Sequence, residues 1–196
     1  MSMIRSSIIM LLVLTLLTGI AYPLLVTGLA NVFFPWQAKG SLVTQDEHIV
    51  GSKLIGQNIQ NEGYFHGRPS ATAENPYNPL ASGGSNFAVS NPLLQQTMAE
   101  RSKLLRAQNP EAGNAIPVDL LTASASGLDP NISVDAAIYQ APRIAKNRQV
   151  SLEVVKSLIT AQTETALLPF LGEPVVNVLQ LNLALDEYMQ QINSQR

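Results

Sequence analysis

The sequence predicts one membrane-spanning helix followed by one mixed α/β (α+β) soluble domain, and three observations carry that prediction. No charged residue lies between Ser6 and Ala38, with Arg5 before the stretch and Lys39 after it. A bilayer core of roughly 30 Å needs about 20 helical residues, and this run exceeds that, so it spans with some tilt. Beyond it, helical periodicities and short extended segments alternate in ordinary globular composition. The chain therefore divides into a short flank (1–7), a transmembrane helix (8–34), a linker (35–47) and an extracytoplasmic domain (48–196).

The span itself has a second reading. Arg5, the apolar run Ile8–Leu17 and the small residues Gly19-Ile20-Ala21 also fit a cleaved signal peptide. The anchor is favoured because the apolar character continues past Ala21, through Leu24-Leu25-Val26 to Phe33-Phe34, and Pro23 would sit just beyond the cut. Thr18, Gly19, Tyr22 and Pro23 fall mid-membrane. Proline removes a backbone hydrogen bond and usually kinks a helix. Small residues and threonine are used where helices approach closely, so these four read as a packing face against partner helices. Arg5 on a short flank favours an inside N-terminus and a domain outside, with Phe33, Phe34 and Trp36 as the outer aromatic belt.

A net charge of −2 leaves no nucleic-acid footprint, and the absence of cysteine excludes disulfides, thiol catalysis and thiolate metal sites. In the soluble part, His48–Gln57 reads as a short strand broken by glycines. Tyr64–Pro92 carries Pro69, Pro76, Pro79 and Pro92 and reads as a long loop, ordered by Tyr64, Phe65, Tyr77 and Phe87. Asn91-Pro92 opens a helix with the stripe Leu93, Leu94, Thr97, Met98, Leu104 and Leu105. Asn109–Asn114 is a turn, and Val118–Thr122 a second strand. Ser133 caps a helix running toward Ala145 that Pro142 interrupts. Ser151 caps another with Val154, Val155, Leu158 and Ile159 inward. Pro174–Val178 is extended, and Leu179–Gln191 forms the last helix. No internal repeat is present.

Familiar chemistry is scarce. No Gly-x-x-x-x-Gly-Lys-Ser/Thr loop occurs, and Ala81-Ser82-Gly83-Gly84-Ser85-Asn86 reads as tight turns rather than an anion cradle. There is no Gly-x-Ser-x-Gly elbow; His48 and His66 are the only candidate bases. Asp129–Asp135 spaces oxygens like the start of a calcium loop, but Val134 replaces the sixth-position glycine and Gln140 the twelfth-position glutamate. It reads instead as a turn feeding a capped helix. No catalytic residue and no metal site is assigned. Gln140 and Arg143, three apart on a helix, share one face; spacing alone makes them a solvated face or an internal pair. Two classes remain: an accessory subunit of a membrane complex, or a membrane-tethered extracytoplasmic enzyme or binding domain.

Longer strings carry a resemblance. Thr18-Gly19-Ile20-Ala21-Tyr22-Pro23-Leu24 lies in the span, followed by Gly51-Ser52-Lys53-Leu54-Ile55-Gly56-Gln57, Tyr64-Phe65-His66-Gly67-Arg68-Pro69-Ser70-Ala71 and Tyr77-Asn78-Pro79-Leu80-Ala81-Ser82-Gly83-Gly84-Ser85-Asn86. Ser90-Asn91-Pro92, the run Pro117–Pro130 and Asn177-Val178-Leu179-Gln180-Leu181-Asn182 complete the order. This closely resembles the C chain of the bacterial potassium-transporting ATPase, the KdpC family, over nearly the whole chain. The resemblance implies an inner-membrane complex that hydrolyses ATP to import potassium. Its other members would be a channel-like potassium-binding subunit (KdpA), a P-type ATPase subunit (KdpB) and a small one-span subunit (KdpF), all in membrane lipid. It implies a non-catalytic accessory subunit, described in the family as an assembly factor and as a catalytic chaperone that raises the pump subunit's affinity for ATP. The family's Gln-x-x-Arg pattern, linked to nucleotide contact, falls on Gln140 and Arg143. That implication conflicts with the orientation, since ATP is cytoplasmic and the domain is expected outside. Two positions depart from the family: Ala125 stands where glycine is usual, and Asn131 where histidine is common.

Overall fold

The computed structural model describes residues 2–45 and 47–194. They form two compact units, 1–52 and 53–196. The division falls at Ser52/Lys53, five residues beyond the 47/48 boundary drawn from the sequence.

The first unit is dominated by a continuous helix. It comprises α1 (Ser2–Leu16), a π-helical turn (Leu17–Ala21) and α2 (Tyr22–Phe33). The stretch Met3–Phe33 is 31 residues long, about 46 Å at helical rise, which exceeds a bilayer core. Hydroxyl and amide groups in an apolar helix need partners, and they find them on the helix's own backbone. Ser7 Oγ donates to Met3 O, Thr18 Oγ1 to Leu14 O (2.7 Å) and Asn31 Nδ2 to Thr27 O (2.8 Å). The mid-span turn is where Pro23 makes itself felt. A proline ring clashes with the carbonyl four residues back, here that of Gly19. The chain widens just ahead of it: Tyr22 N–H bonds Leu17 O, five residues away, while Ala21 and Tyr22 keep right-handed helical angles. Thr18, Gly19, Tyr22 and Pro23 thus sit on or beside the widened turn.

The segment read as a linker is structured. Phe34 breaks the helix, α3 (Pro35–Ala38) adds one turn, and β1 (Leu42–Gln45) pairs antiparallel with β2 (His48–Ser52). Trp36 Nε1 donates to Leu42 O, and Ser52 Oγ to Gly40 O, closing the hairpin base. Strand β2 covers only the first half of the predicted His48–Gln57 strand.

The second unit packs three helices against a small sheet. Helices α6 (Val134–Arg148), α7 (Leu152–Ala161) and α8 (Val178–Ser194) surround antiparallel strands in the order β3 (Asn131–Ser133), β5 (Val175–Asn177), β4 (Thr163–Glu164). Ile132 pairs with Val176, and Thr163 with Val176 on the other side. The core is Phe65, Ile132, Ile144, Val155, Ile159, Val176, Leu181 and Leu185 around Ala136, Ala137 and Ala141. Alanines at one face of α6 let the neighbouring elements approach closely.

Caps stand where local chemistry puts them. Asn91 Oδ1 accepts from Leu93 N–H at the start of α4 (Pro92–Gln108), Ser133 Oγ from Ala136 N–H, and Ser151 Oγ from Val154 N–H. Three elements differ from expectation. Val118–Leu121 is not a strand but a single helical turn, α5, closed by Thr122 N–H and Thr122 Oγ1 on Val118 O. Its Asp119 carboxylate accepts both Ser133 N–H (2.7 Å) and Ser133 Oγ (3.1 Å), a long-range tie that no local pattern announces. Pro142 does not interrupt α6. Its missing N–H costs only the bond to Ile138 O, and Ile138 is on the exposed side. Lastly, Leu93 and Leu104 of the α4 stripe are exposed, and only Leu94, Thr97, Met98 and Leu105 turn inward.

Candidate functional site

Gln140 and Arg143 lie on the inner face of α6, 1 % and 6 % exposed. That helix is held in place by the Ser133 cap, the Asp119 tie and a left-handed Gln149 at its end. The two side chains point at an incoming irregular segment, Glu62–His66, which crosses α6 and α8.

Every polar atom of the Gln140 amide is engaged. Oε1 accepts from His66 N–H (2.8 Å) and Arg143 Nη2 (2.9 Å), and Nε2 donates to His66 O (3.0 Å) and Ala136 O (3.3 Å). A side-chain amide has two donors and two acceptor positions, so none remains. Arg143 is almost as fully occupied. Nε donates to Asn109 Oδ1 (3.1 Å), Nη1 to Glu62 O, and Nη2 to Tyr64 O (3.1 Å) as well as to Gln140. Four of a guanidinium's five N–H groups are thereby used. Its acceptors are neutral, and burial pushes its pKa down to about 10 against a smaller upward pull from Glu62. The group remains charged at neutral pH, held by carbonyl dipoles rather than by a carboxylate.

Helix α8 grips the same segment from the other side. Asn182 Oδ1 accepts from Phe65 N–H (2.8 Å) and its Nδ2 donates to Phe65 O (3.0 Å). Two consecutive residues, Phe65 and His66, thus have both backbone polar groups satisfied by amide side chains from two different helices. This replaces strand pairing, which an irregular segment lacks, and it lets Phe65 sit fully buried. Around it, Tyr64 Oη donates to Asp186 Oδ2, Arg148 Nη2 pairs with Asp186 Oδ1 (2.8 Å), Arg148 Nε donates to Gly63 O, and the Arg148 guanidinium stacks 4.3 Å from the Tyr64 ring centre. His66 donates through Nε2 to Asn61 O, and burial, with the Arg143 charge next in weight, lowers its pKa.

Beyond His66 the chain forms a second seam against residues 124–129. Arg68 pairs with Asp129 (3.2 Å), Tyr77 Oη donates to Arg68 O (2.6 Å) and Ser70 Oγ to Gly127 O (2.7 Å). Burial and then the Asp129 charge raise the Tyr77 pKa to about 12. The run Ala81–Asn86 does not form the expected tight turns. Gly83 N–H and Ser82 Oγ both donate to Ser126 O, so Ser82–Gly84 lie along Ser124–Ser126, between a 3-10 turn that ends at Ala81 and a left-handed Asn86. The crossing is close: a Cβ on Gly84 would stand 3.0 Å from Ala125 O, so a side chain there would press the two backbones apart by a few tenths of an ångström. The calcium-like run Asp129–Asp135 is the expected turn: Asp129 Oδ1 accepts from Asn131 N–H and Ser133 caps α6.

Two clefts border the pair. One, of about 310 Å³, lies between Arg143, Asn109, Pro110 and Lys146. The other, of about 350 Å³, is lined by His66, Arg68, Tyr77, Arg101, Leu104 and Gln140. Arg68 Nε is buried in it without a hydrogen-bond partner among the described residues. His48, the other candidate base, is exposed on the hairpin of the first unit. Asn109, Arg148, Asn182 and Asp186 were missed from the sequence. Asn182 and Asp186 did carry a signal, since they share the helical face of Leu181 and Leu185, where an apolar residue is the default.

The chain is similar to known proteins over nearly its whole length. Residues 4–187 match the family described as KdpC, the K+-transporting ATPase c chain. The chain belongs to the KdpC family. It is 58 % identical over 188 residues to the potassium-transporting ATPase KdpC subunit of Yersinia pseudotuberculosis, covering 96 % of this chain and 94 % of that protein. To the KdpC subunit of an Escherichia coli O7:K1 strain it is 54 % identical over 187 residues, covering 95 % and 98 %. The same-named subunit of Yersinia enterocolitica is 60 % identical over 186 residues, covering 95 % and 93 %. Among the described residues of this KdpC-family chain one helix, Met3–Phe33, is long and apolar enough to cross a membrane, which fits a single-pass membrane protein.

Proposed function

We propose that this chain is a non-catalytic accessory subunit of an ATP-driven potassium import complex in the bacterial inner membrane. It stabilises the assembly of a channel-like subunit (KdpA) with a P-type ATPase subunit (KdpB) and the small one-span subunit KdpF. Its domain lies on the outer face. The observation that carries this reading is the internal engagement of Gln140 and Arg143. A residue pair with all four amide positions and four of five guanidinium donors in use builds a fold. On this reading, an effect on the pump's affinity for ATP is transmitted by assembly.

The span is the docking element of this proposal. A Cβ placed on Gly19 meets nothing within 4 Å in the chain itself, and leucine is a strong helix former. Gly19→Leu is therefore tolerated by the helix, and any effect reports a neighbour. The expected outcome is loss of the other subunits when the tagged chain is purified in mild detergent; retention of all subunits at wild-type ratio contradicts the packing face.

A second reading, direct contact of the domain with nucleotide, draws on one observation: the cleft beside Gln140 carries Arg68 and Arg101, and arginine binds phosphate in a fork. Topology separates the two, because ATP is cytoplasmic. A C-terminal alkaline phosphatase fusion is expected to be active. A silent fusion that is expressed and inserted places the domain inside and favours nucleotide contact.

A further inference from the structure

The loop joining β4 to β5, residues 165–174, has the composition of a membrane tip. Thr165 to Gly172 contains no charge. Its apolar side chains face outward: Leu167 is 93 % and Phe170 80 % exposed, with Leu168 and Leu171 also exposed. A single 3-10 turn, Pro169–Leu171, closed by Leu171 N–H on Leu168 O, holds them together at the end of a hairpin. Elsewhere in this unit large exposed aliphatics stand singly, as Leu80 and Val89 do, or as the pair Leu54-Ile55, which is ordinary for a protein surface. Four apolar residues on one short loop are not.

The root of this loop is tied to the residue where the chain arrives from the membrane-spanning unit. Lys53, the first residue of the second unit, pairs with Glu164 of β4 (Nζ–Oε1 2.7 Å). Its carbonyl accepts from Asn177 Nδ2 of β5 (2.9 Å). Both strands of the hairpin are thereby fastened to Lys53, next in the chain after a hairpin that follows an apolar 31-residue helix.

We propose that Leu167, Leu168, Phe170 and Leu171 insert into the lipid–water interface of the bilayer that the chain's own helix spans. Lipid is favoured over a protein cup by this fastening, which ties the loop root to Lys53, a residue that follows the apolar helix with only one helical turn and one hairpin between. The Lys53–Glu164 pair also neutralises one of the two carboxylates flanking the loop. Weak insertion suffices, because a covalent tether gives the loop an effective concentration on the order of millimolar. The inference goes beyond the accessory role and holds on either side of the membrane.

The test uses the full-length chain in vesicles of phosphatidylethanolamine and phosphatidylglycerol. The natural sequence has no cysteine, so Leu171→Cys and Leu80→Cys each give one site for an environment-sensitive dye. Aqueous iodide is expected to quench the dye at position 171 about threefold less than at 80, and brominated acyl chains to quench only 171. Adding Leu167→Ser and Phe170→Ser should abolish both differences while the far-ultraviolet circular dichroism stays unchanged. Equal iodide quenching at the two positions overturns the proposal. So does shielding that survives the double serine change, or shielding that appears only with the other subunits and without quenching by brominated lipid; that last outcome assigns the tip to a protein partner.

Discussion

Arg143→Ala is expected to destabilise the soluble unit by about 3–5 kcal/mol, because several acceptors lose a charged donor at once, at about 1–3 kcal/mol for each one left unsatisfied. The loss comes from what stays behind. The amide oxygen of the buried Asn109 and the carbonyls of Glu62 and Tyr64 lose their donor together, and Gln140 Oε1 loses one of its two partners. At about 2–4 °C per kcal/mol for a domain of this size, the melting temperature should fall by about 10 °C. Arg143→Lys should recover only part, because an ammonium is a point donor and cannot serve four acceptors spread around a planar fork. A nucleotide-contacting arginine behaves differently: its loss leaves folding intact and changes only ATP affinity. Thermal unfolding of the purified chain, run beside the ATP dependence of the whole complex, separates the two. An unchanged melting temperature overturns the clamp.

Gly127→Val should cost about 2–4 kcal/mol and release the loop from Arg68 to Gly84. Gly127 has φ +68°, a conformation in which β-branched side chains are strained. A Cβ there would also lie 2.6 Å from Thr72 Cγ2 and 2.8 Å from Gly83 O. The backbone must move, and the Ser70 and Gly83 bonds across the seam go with it. Limited proteolysis is the direct measure: cleavage between Pro69 and Ser90 should become rapid in the variant. Equal protection of variant and wild type would contradict the seam.

What the sequence displayed and what it concealed divide by distance along the chain. The caps Asn91, Ser133 and Ser151 and the inward stripe of α7 depend on neighbours within four residues, and all were legible. The strand expected at Val118–Thr122 failed because five residues, apolar at Val118, Leu120 and Leu121, fit either a strand or one helical turn. The choice was made by Asp119 reaching Ser133, fourteen residues on. Pro142 reads as a helix end only if the missing bond matters, and exposure of Ile138 makes it matter little. The clamp was the least legible part. Gln140 and Arg143 stand out by their spacing, but apart from Ala136 O and each other their partners lie 34 to 81 residues away and are mainly backbone atoms, which leave no trace in composition. The course of Ser82–Gly84 along Ser124–Ser126 was hidden for the same reason: two glycines signal a turn and a close backbone crossing equally well.

The widened turn at Leu17–Ala21 has a geometric effect on the rest of the span. One additional residue in a helical turn advances everything after it by about 100° around the axis. Residues that would have continued a stripe from α1 are rotated out of line in α2. A straight neighbouring helix can follow the surface of the first half or of the second, but not both. The bend in register therefore gives each leaflet its own contact azimuth, and a single span can bridge two neighbours that do not touch each other.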